Sequence, residues 1–273
     1  MRFAIAIFLL VFSPLAIAKG LLVSTYPLYL IAQEVTKGIE KPDLLLDQQQ
    51  TGHDVQLTPK ARQLIQNANL VIWLGSGHEA PLKQALVNKQ NAFALLETSI
   101  IKVLPKRNVK AELLPNTQDT HVWLEPHNAV RIAFFIAALR SQQYPELKNQ
   151  YWQNAQKFSQ KMYDATKVGQ SLPEQHYWAY HDAYQYLERA LNLKFAGALS
   201  ADHDLSPTAA QLHYLNQQRP QKTMCLLSEY HTDQAFVNIL KPVKNITVDE
   251  SMSQHDDFIE AWLQLAYAIK QCS

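Results

Sequence analysis

Leu70-Val71-Ile72-Trp73-Leu74-Gly75 decides the fold. Five consecutive apolar residues without polar alternation suit a strand buried on both faces, as in a parallel sheet covered by helices. Just upstream, Thr58 and Pro59 read as the N-cap and first position of a helix running to Asn67. Further upstream, Leu21–Ser24 reads as a strand, Leu28–Thr36 as a helix behind Pro27, and Leu44–Leu46 as a short strand. Downstream, Pro81–Val87 reads as helical. The alternation returns in the second half. Strands are expected at Tyr177–Tyr180, Phe195–Leu199, Met224–Leu227 and Ile246–Val248. Helices are expected at Tyr184–Leu191, Pro207–Asn216 (capped by Ser206), Asp233–Leu240 and Asp257–Lys270. Strand–helix alternation in both halves predicts an α/β protein of two lobes, each a parallel sheet with surrounding helices.

Between the halves the composition changes. Ile132, Phe135, Ile136 and Leu139, then Tyr151, Trp152, Ala155, Phe158 and Met162, keep a spacing of three to four. This predicts a long connecting helix, kinked or divided at Pro145. A helical rod is stiff, so the cleft between the lobes should have a nearly fixed shape. The expected division is a signal peptide over 1–18, an N-terminal lobe carrying metal ligands over 19–127, a helical connector over 128–170 and a C-terminal lobe over 171–273.

Composition narrows the class. Of 273 residues, 47% are hydrophobic and 18% charged, which excludes a disordered chain. Lys+Arg 25 against Asp+Glu 24 gives a net charge of +1, without the basic excess of a nucleic-acid binder. Met1-Arg2, the apolar run Phe3–Phe12 and Ala16-Ile17-Ala18 form a secretory signal pattern, too short to span a bilayer. The mature chain is therefore expected to be soluble outside the cytoplasm. Cys225 and Cys272 are the only cysteines. An even pair in an oxidising compartment predicts one disulfide.

Ten histidines are present, and position says more than number. Open parallel sheets bind ligands beyond the carboxyl ends of their strands. His53 follows the Leu44–Leu46 strand, His181 follows Tyr177–Tyr180, and Asp249 follows Ile246–Val248, while His121 opens His121-Val122-Trp123-Leu124-Glu125-Pro126 before the connector. Neutral imidazole is the commonest metal ligand. These four residues are widely dispersed, which excludes a finger or a zincin. Of the others, His203 is the best secondary candidate; His78 and His231 also lie at strand ends. His127, His176, His213 and His255 read as surface or packing residues.

His121–Ala129, Tyr180-His181-Asp182-Ala183-Tyr184-Gln185-Tyr186 and Gln66–Gly75 resemble three sequence blocks of the zinc-binding subunits of bacterial ABC uptake systems, the ZnuA type of metal-binding solute receptor. The resemblance covers nearly the whole mature chain, and the placing of Cys225 and Cys272 resembles the disulfide of the zinc members. It implies two α/β lobes bridged by a long helix, with His53, His121, His181 and Asp249 holding Zn²⁺ as cargo. It further implies a periplasmic monomer, without enzymatic activity, that serves an ABC permease in the inner membrane. Three imidazoles favour zinc over manganese, which takes more carboxylate oxygen. Two departures stand out. Gly52-His53-Asp54-Val55 replaces the family's Pro-His-x-Tyr, and Ala111–Thr120 is short and His-free where many zinc members carry a His/Asp/Glu-rich loop. A manganese receptor of the same fold is one alternative. A secreted zinc hydrolase is another; it would need a general base such as Glu125, Glu229 or Glu250.

Overall fold

The computed structural model describes residues 20–48, 50, 57–170, 173–202, 205–229 and 232–272. The expected signal peptide, His53, His203 and His231 lie outside them. Among the described residues no helix is long and apolar enough to cross a membrane.

The first lobe contains strands β1 (Leu21–Val23), β2 (Asp43–Leu44), β3 (Leu70–Trp73) and β4 (Ala92–Ala94), and helices α1 (Tyr26–Thr36), α2 (Pro59–Asn67) and α3 (Lys83–Leu86). Its sheet is parallel, in the order β2-β1-β3-β4. All four β3 residues are buried, as the apolar run requires. Thr58 caps α2 by accepting from the Ala61 amide at 3.1 Å. The second lobe contains β5 (Gln175–Ala179), β6 (Leu193–Ala198), β7 (Met224–Ser228) and β8 (Val243–Thr247). They run parallel in the order β6-β5-β7-β8, the same topology as the first sheet. In both sheets the order reverses at the central pair, and the crevice beyond its carboxyl ends is the expected ligand position.

The connector is divided at Pro145, as expected, but it folds back on itself where one extended rod was expected. It is two helices, α4 (Pro126–Gln143) and α5 (Lys148–Gln170), separated by a short 3₁₀ turn at Pro145–Leu147. The chain doubles back, so that Phe134 packs against Trp152 with ring centroids 5.6 Å apart. Only α5 serves as the bridge: it packs on α1 of the first lobe and on α6 (Glu188–Leu191) and α9 (Phe258–Lys270) of the second. Twenty-three residues give it a length of about 34 Å. Helices α7 (Ala209–Gln217) and α8 (Gln234–Ile239) flank the second sheet. The cap of α7 is Thr208, which accepts from the Gln211 amide, not Ser206; the helix starts two residues beyond Pro207.

One apolar core runs through both lobes. It joins Leu21 and Ile72 to Ile132 and Ala133 of α4, Phe158 and Met162 of α5, and Tyr177, Leu227 and Trp262 of the second lobe. Lobes that share a core through their connecting helix move little against each other. Cys225 and Cys272 are bonded across a 47-residue separation. The bridge pins the C-terminal end of α9 to β7; chain entropy makes it worth about 4 kcal/mol.

Candidate metal centre

His181 stands two residues beyond β5, and Glu229 immediately follows β7. These strands are paired, Ala179 opposite Leu227, so their outgoing loops lie side by side. Glu229 accepts a hydrogen bond from His181 Nδ1. His121 enters from the first lobe, just ahead of the 3₁₀ turn Val122–Leu124. Its Nδ1 donates to Asp119 Oδ1 at 2.8 Å, and its backbone amide donates to the same oxygen at 3.1 Å. A carboxylate can only accept, so each imidazole carries a proton on Nδ1, and in its neutral form it presents a lone pair on Nε2.

The two Nε2 atoms face each other at 3.5 Å. Two lone pairs at that distance repel unless a positive charge lies between them. A tetrahedral Zn²⁺ with Zn–N bonds of about 2.0–2.1 Å sets its nitrogens roughly 3.3 Å apart. The pair is thus spaced as an edge of a zinc tetrahedron. Beside it lies a cavity of about 40 Å³, lined by both imidazoles, by Asp119, Asp182 and Asp202, and by Lys106 and Arg107.

The surrounding field is negative. Burial alone would lower the His181 pKa, but the Glu229 bond and the charges of Glu250, Glu229 and Asp202 leave it raised. Glu250 is raised in turn by burial and by Glu229, against the pull of His181 and His121. Its carbonyl accepts from Trp123 Nε1 at 2.8 Å, which holds the 249–250 turn against the first lobe. Asp249 is held differently. Its Oδ1 accepts from the Ser251 amide and hydroxyl at 3.0 and 2.5 Å, and Oδ2 from the Ser253 hydroxyl at 2.8 Å. The acid whose charge bears on both imidazoles is therefore its neighbour Glu250. Among the described residues no three His, Cys, Asp or Glu side chains close into a metal cage; His53 is not one of those residues.

The remaining histidines separate clearly. His78 is buried, its Nδ1 2.8 Å from Thr120 Oγ1 and its ring edge-on to Trp123, so it supports the segment entering His121. His127 is exposed and pairs with Glu125. Sequence reading treated Glu229 only as a candidate base and passed over Asp119. The signal for Asp119 was its spacing two residues ahead of His121; that for Glu229 was its place at the end of the strand beside β5.

Glu79, next to His78, is fully buried, and its Oε2 accepts from the Leu74 and Gly75 amides at 2.8 and 3.1 Å. Burial pushes its pKa up to about 7 from 4.5. Between those values the native state holds a proton that the unfolded chain has lost. Stability is therefore highest below the unfolded value and falls as pH rises through about 7, by about 3 kcal/mol in all. Glu79→Gln keeps the acceptor and removes the charge. Urea unfolding should show it more stable than wild type at alkaline pH, with a flatter pH dependence.

Two parallel α/β lobes bridged by one long helix, with an imidazole pair where they meet, define a two-lobed solute receptor. The chain belongs to the ZnuA family, zinc-uptake complex component A, periplasmic, whose family model matches residues 21–272. It is 28% identical over 268 residues to the high-affinity zinc uptake system protein ZnuA of Yersinia pestis, covering 87% of this chain and 84% of that one. To the protein of the same name from Haemophilus ducreyi it is 26% identical over 235 residues, 76% of each chain. Among solved structures, the laminin-binding protein Lmb of Streptococcus agalactiae superposes with a TM-score of 0.76 at 17% identity, over 93% of this chain and 99% of that one. Zn(II)-bound AdcA of Streptococcus pneumoniae superposes with a TM-score of 0.73 at 22% identity, over 93% of this chain and 57% of that one. At these identities the likeness is one of fold.

Proposed function

We propose that this protein captures Zn²⁺ outside the cytoplasm, in the cleft between its lobes, and delivers it as a soluble monomer to the permease of an ABC importer. The observation that carries the reading is the pair of Nε2 lone pairs, 3.5 Å apart, each fixed from behind by a carboxylate. His121 and His181 supply two donors, and His53 a third, as the resemblance to the family implies. The Asp249-Glu250 turn supplies the acid: Asp249 is the position the resemblance indicates, and Glu250 is the one whose charge reaches both rings. Nitrogen-rich donors favour zinc over manganese. The protein does no chemistry on its cargo. Glu125, one of the bases a hydrolase would need, caps α4 through the Asn128 amide, and Glu229 holds His181.

Titration calorimetry of the metal-stripped protein tests the reading. One Zn²⁺ per chain, bound much more tightly than Mn²⁺, is expected; equal or absent binding would overturn it. Capture requires neutral imidazoles, and the raised His181 pKa means protons begin to compete at a higher pH than for a free imidazole. Affinity should be full at alkaline pH and decline as pH falls through the His181 value, by about tenfold per pH unit for each imidazole that protonates. Chelator competition between about pH 8 and pH 5 measures this.

A further inference from the structure

The segment from Leu104 to Asp119, ahead of His121, leaves the first lobe, crosses to the second and returns. Its base is closed twice. The Asp119 amide donates to the Leu104 carbonyl at 2.8 Å. Tyr186 of the second lobe staples both ends, its hydroxyl accepting from the Leu104 amide at 2.9 Å and donating to the Asp119 carbonyl at 2.8 Å. The base is also rooted in the first lobe, where Gln118 Nε2 donates to the Leu96 carbonyl at 3.3 Å. At the far end the backbone joins the open edge of the second sheet: the Ala198 amide and Gln211 Nε2 both donate to the Val109 carbonyl, at 3.1 and 3.0 Å. Gly197 makes this approach possible, because a Cβ there would lie 2.9 Å from that carbonyl oxygen.

Arg107 is the strongest contact. Its guanidinium grips Asp182 with two bonds of 2.7 Å, reaches Glu188 at 2.6 Å and lies 4.1 Å over the Phe195 ring. Both partners are second-lobe residues, and the ion pair with Asp182 is nearly shielded from solvent. A two-pronged, largely desolvated arginine–carboxylate pair is directional as well as strong. Asp182 directly follows His181. At the other end of the segment, Gln185 Nε2 donates to Asp119 Oδ2 at 3.2 Å, and the other oxygen of that carboxylate orients His121. The segment is therefore linked to both imidazoles.

We propose that residues 104–119 are a second tie between the lobes, latched by Arg107, and that this latch sets the separation of His121 and His181 for metal capture. Arg107 is a positioning residue; it does not touch the ion. The inference rests on the zinc reading of the two imidazoles. It gives the short, His-free segment a holding role at the place where many zinc members carry a His/Asp/Glu-rich loop.

The test compares Arg107→Gln and Arg107→Lys with wild type by three measurements: zinc affinity by chelator competition, the visible spectrum of the Co²⁺-loaded protein, and hydrogen exchange over residues 104–119 without metal. Arg107→Gln should weaken zinc binding by about tenfold to a hundredfold. It should also alter the cobalt spectrum and speed exchange in the segment. Arg107→Lys, which keeps the charge without the fork, should recover part of each. A loss of thermal stability with unchanged affinity and cobalt spectrum would overturn the proposal. If Arg107→Gln does not fold, Gln211→Leu releases the tip instead. Faster exchange with weaker zinc binding then supports the latch, and faster exchange with unchanged affinity overturns it. His121→Ala separates the two readings: if that variant keeps wild-type zinc affinity, the zinc site itself is wrong, whatever the latch variants show.

Discussion

His181→Ala should bind zinc more than about a hundredfold more weakly than wild type, exceeding the tenfold to hundredfold loss typical of removing a group that merely orients a ligand. The ring is buried at the end of β5, its Nδ1 bonded to Glu229 and its Nε2 facing His121 across 3.5 Å. Alanine removes one donor outright. It also leaves Glu229 without its imidazole partner in a negative field, where water is a poor substitute for a fixed proton donor. Glu229→Gln isolates the second effect: the ring stays, but its orientation and basicity suffer, so the loss should fall within the tenfold to hundredfold range. His213→Ala on the exposed face of α7 should bind as wild type. Competition against a chromophoric chelator reads all three, with circular dichroism to confirm that each variant is folded. Wild-type affinity in His181→Ala would sink the assignment of the site.

What the sequence made legible follows from what kind of signal each feature leaves. Leu70–Leu74 announced β3 because burial on both faces demands an unbroken apolar run. β4 was not foreseen: Ala92-Phe93-Ala94 is half-buried, and an edge strand of three residues is too short to leave a pattern. The Asn128–Lys167 stripe gave the helical content of the connector and the break at Pro145. It could not give the reversal, which brings Phe134 against Trp152 across the turn and is a property of the packed helices. β8 begins three residues before the expected Ile246, at Val243, since its register is set by pairing with β7 and not by its own composition. At the site, the strand-end rule and the family blocks pointed to His121 and His181. The carboxylates behind them depend on which strands are neighbours, and strand order is a property of the packed sheet. The same holds for Arg107, whose partners Asp182 and Glu188 are distant in sequence and meet it only when the lobes are assembled.

The largest stability loss is expected away from the site, at Arg140 of α4. Its side chain is fully inaccessible, and that of Glu40 is 2% exposed. The guanidinium forks onto both oxygens of Glu40 at 2.7 and 2.6 Å and reaches Gln143 at 2.6 Å, while its carbon lies 4.7 Å over the Tyr144 ring. Tyr151 of α5 donates to the same carboxylate at 2.9 Å. The cluster thus ties the segment after α1, the last turn of α4 and the first turn of α5 around the reversal at Pro145, and so fixes the course of the bridging helix. Arg140→Met keeps the volume of the chain but strands the Glu40 charge in the core, which costs about 3–5 kcal/mol. The Glu40→Leu/Arg140→Met double variant removes both charges, leaving the Tyr151 hydroxyl and the Gln143 carbonyl oxygen to find new partners. Because an apolar replacement of a buried pair is often close to neutral, the double variant should be more stable than Arg140→Met alone. Urea unfolding of the metal-free proteins measures both. If the two losses simply add, the pair is not coupled as the geometry requires, and the reversal is held by apolar packing of α4 on α5 instead.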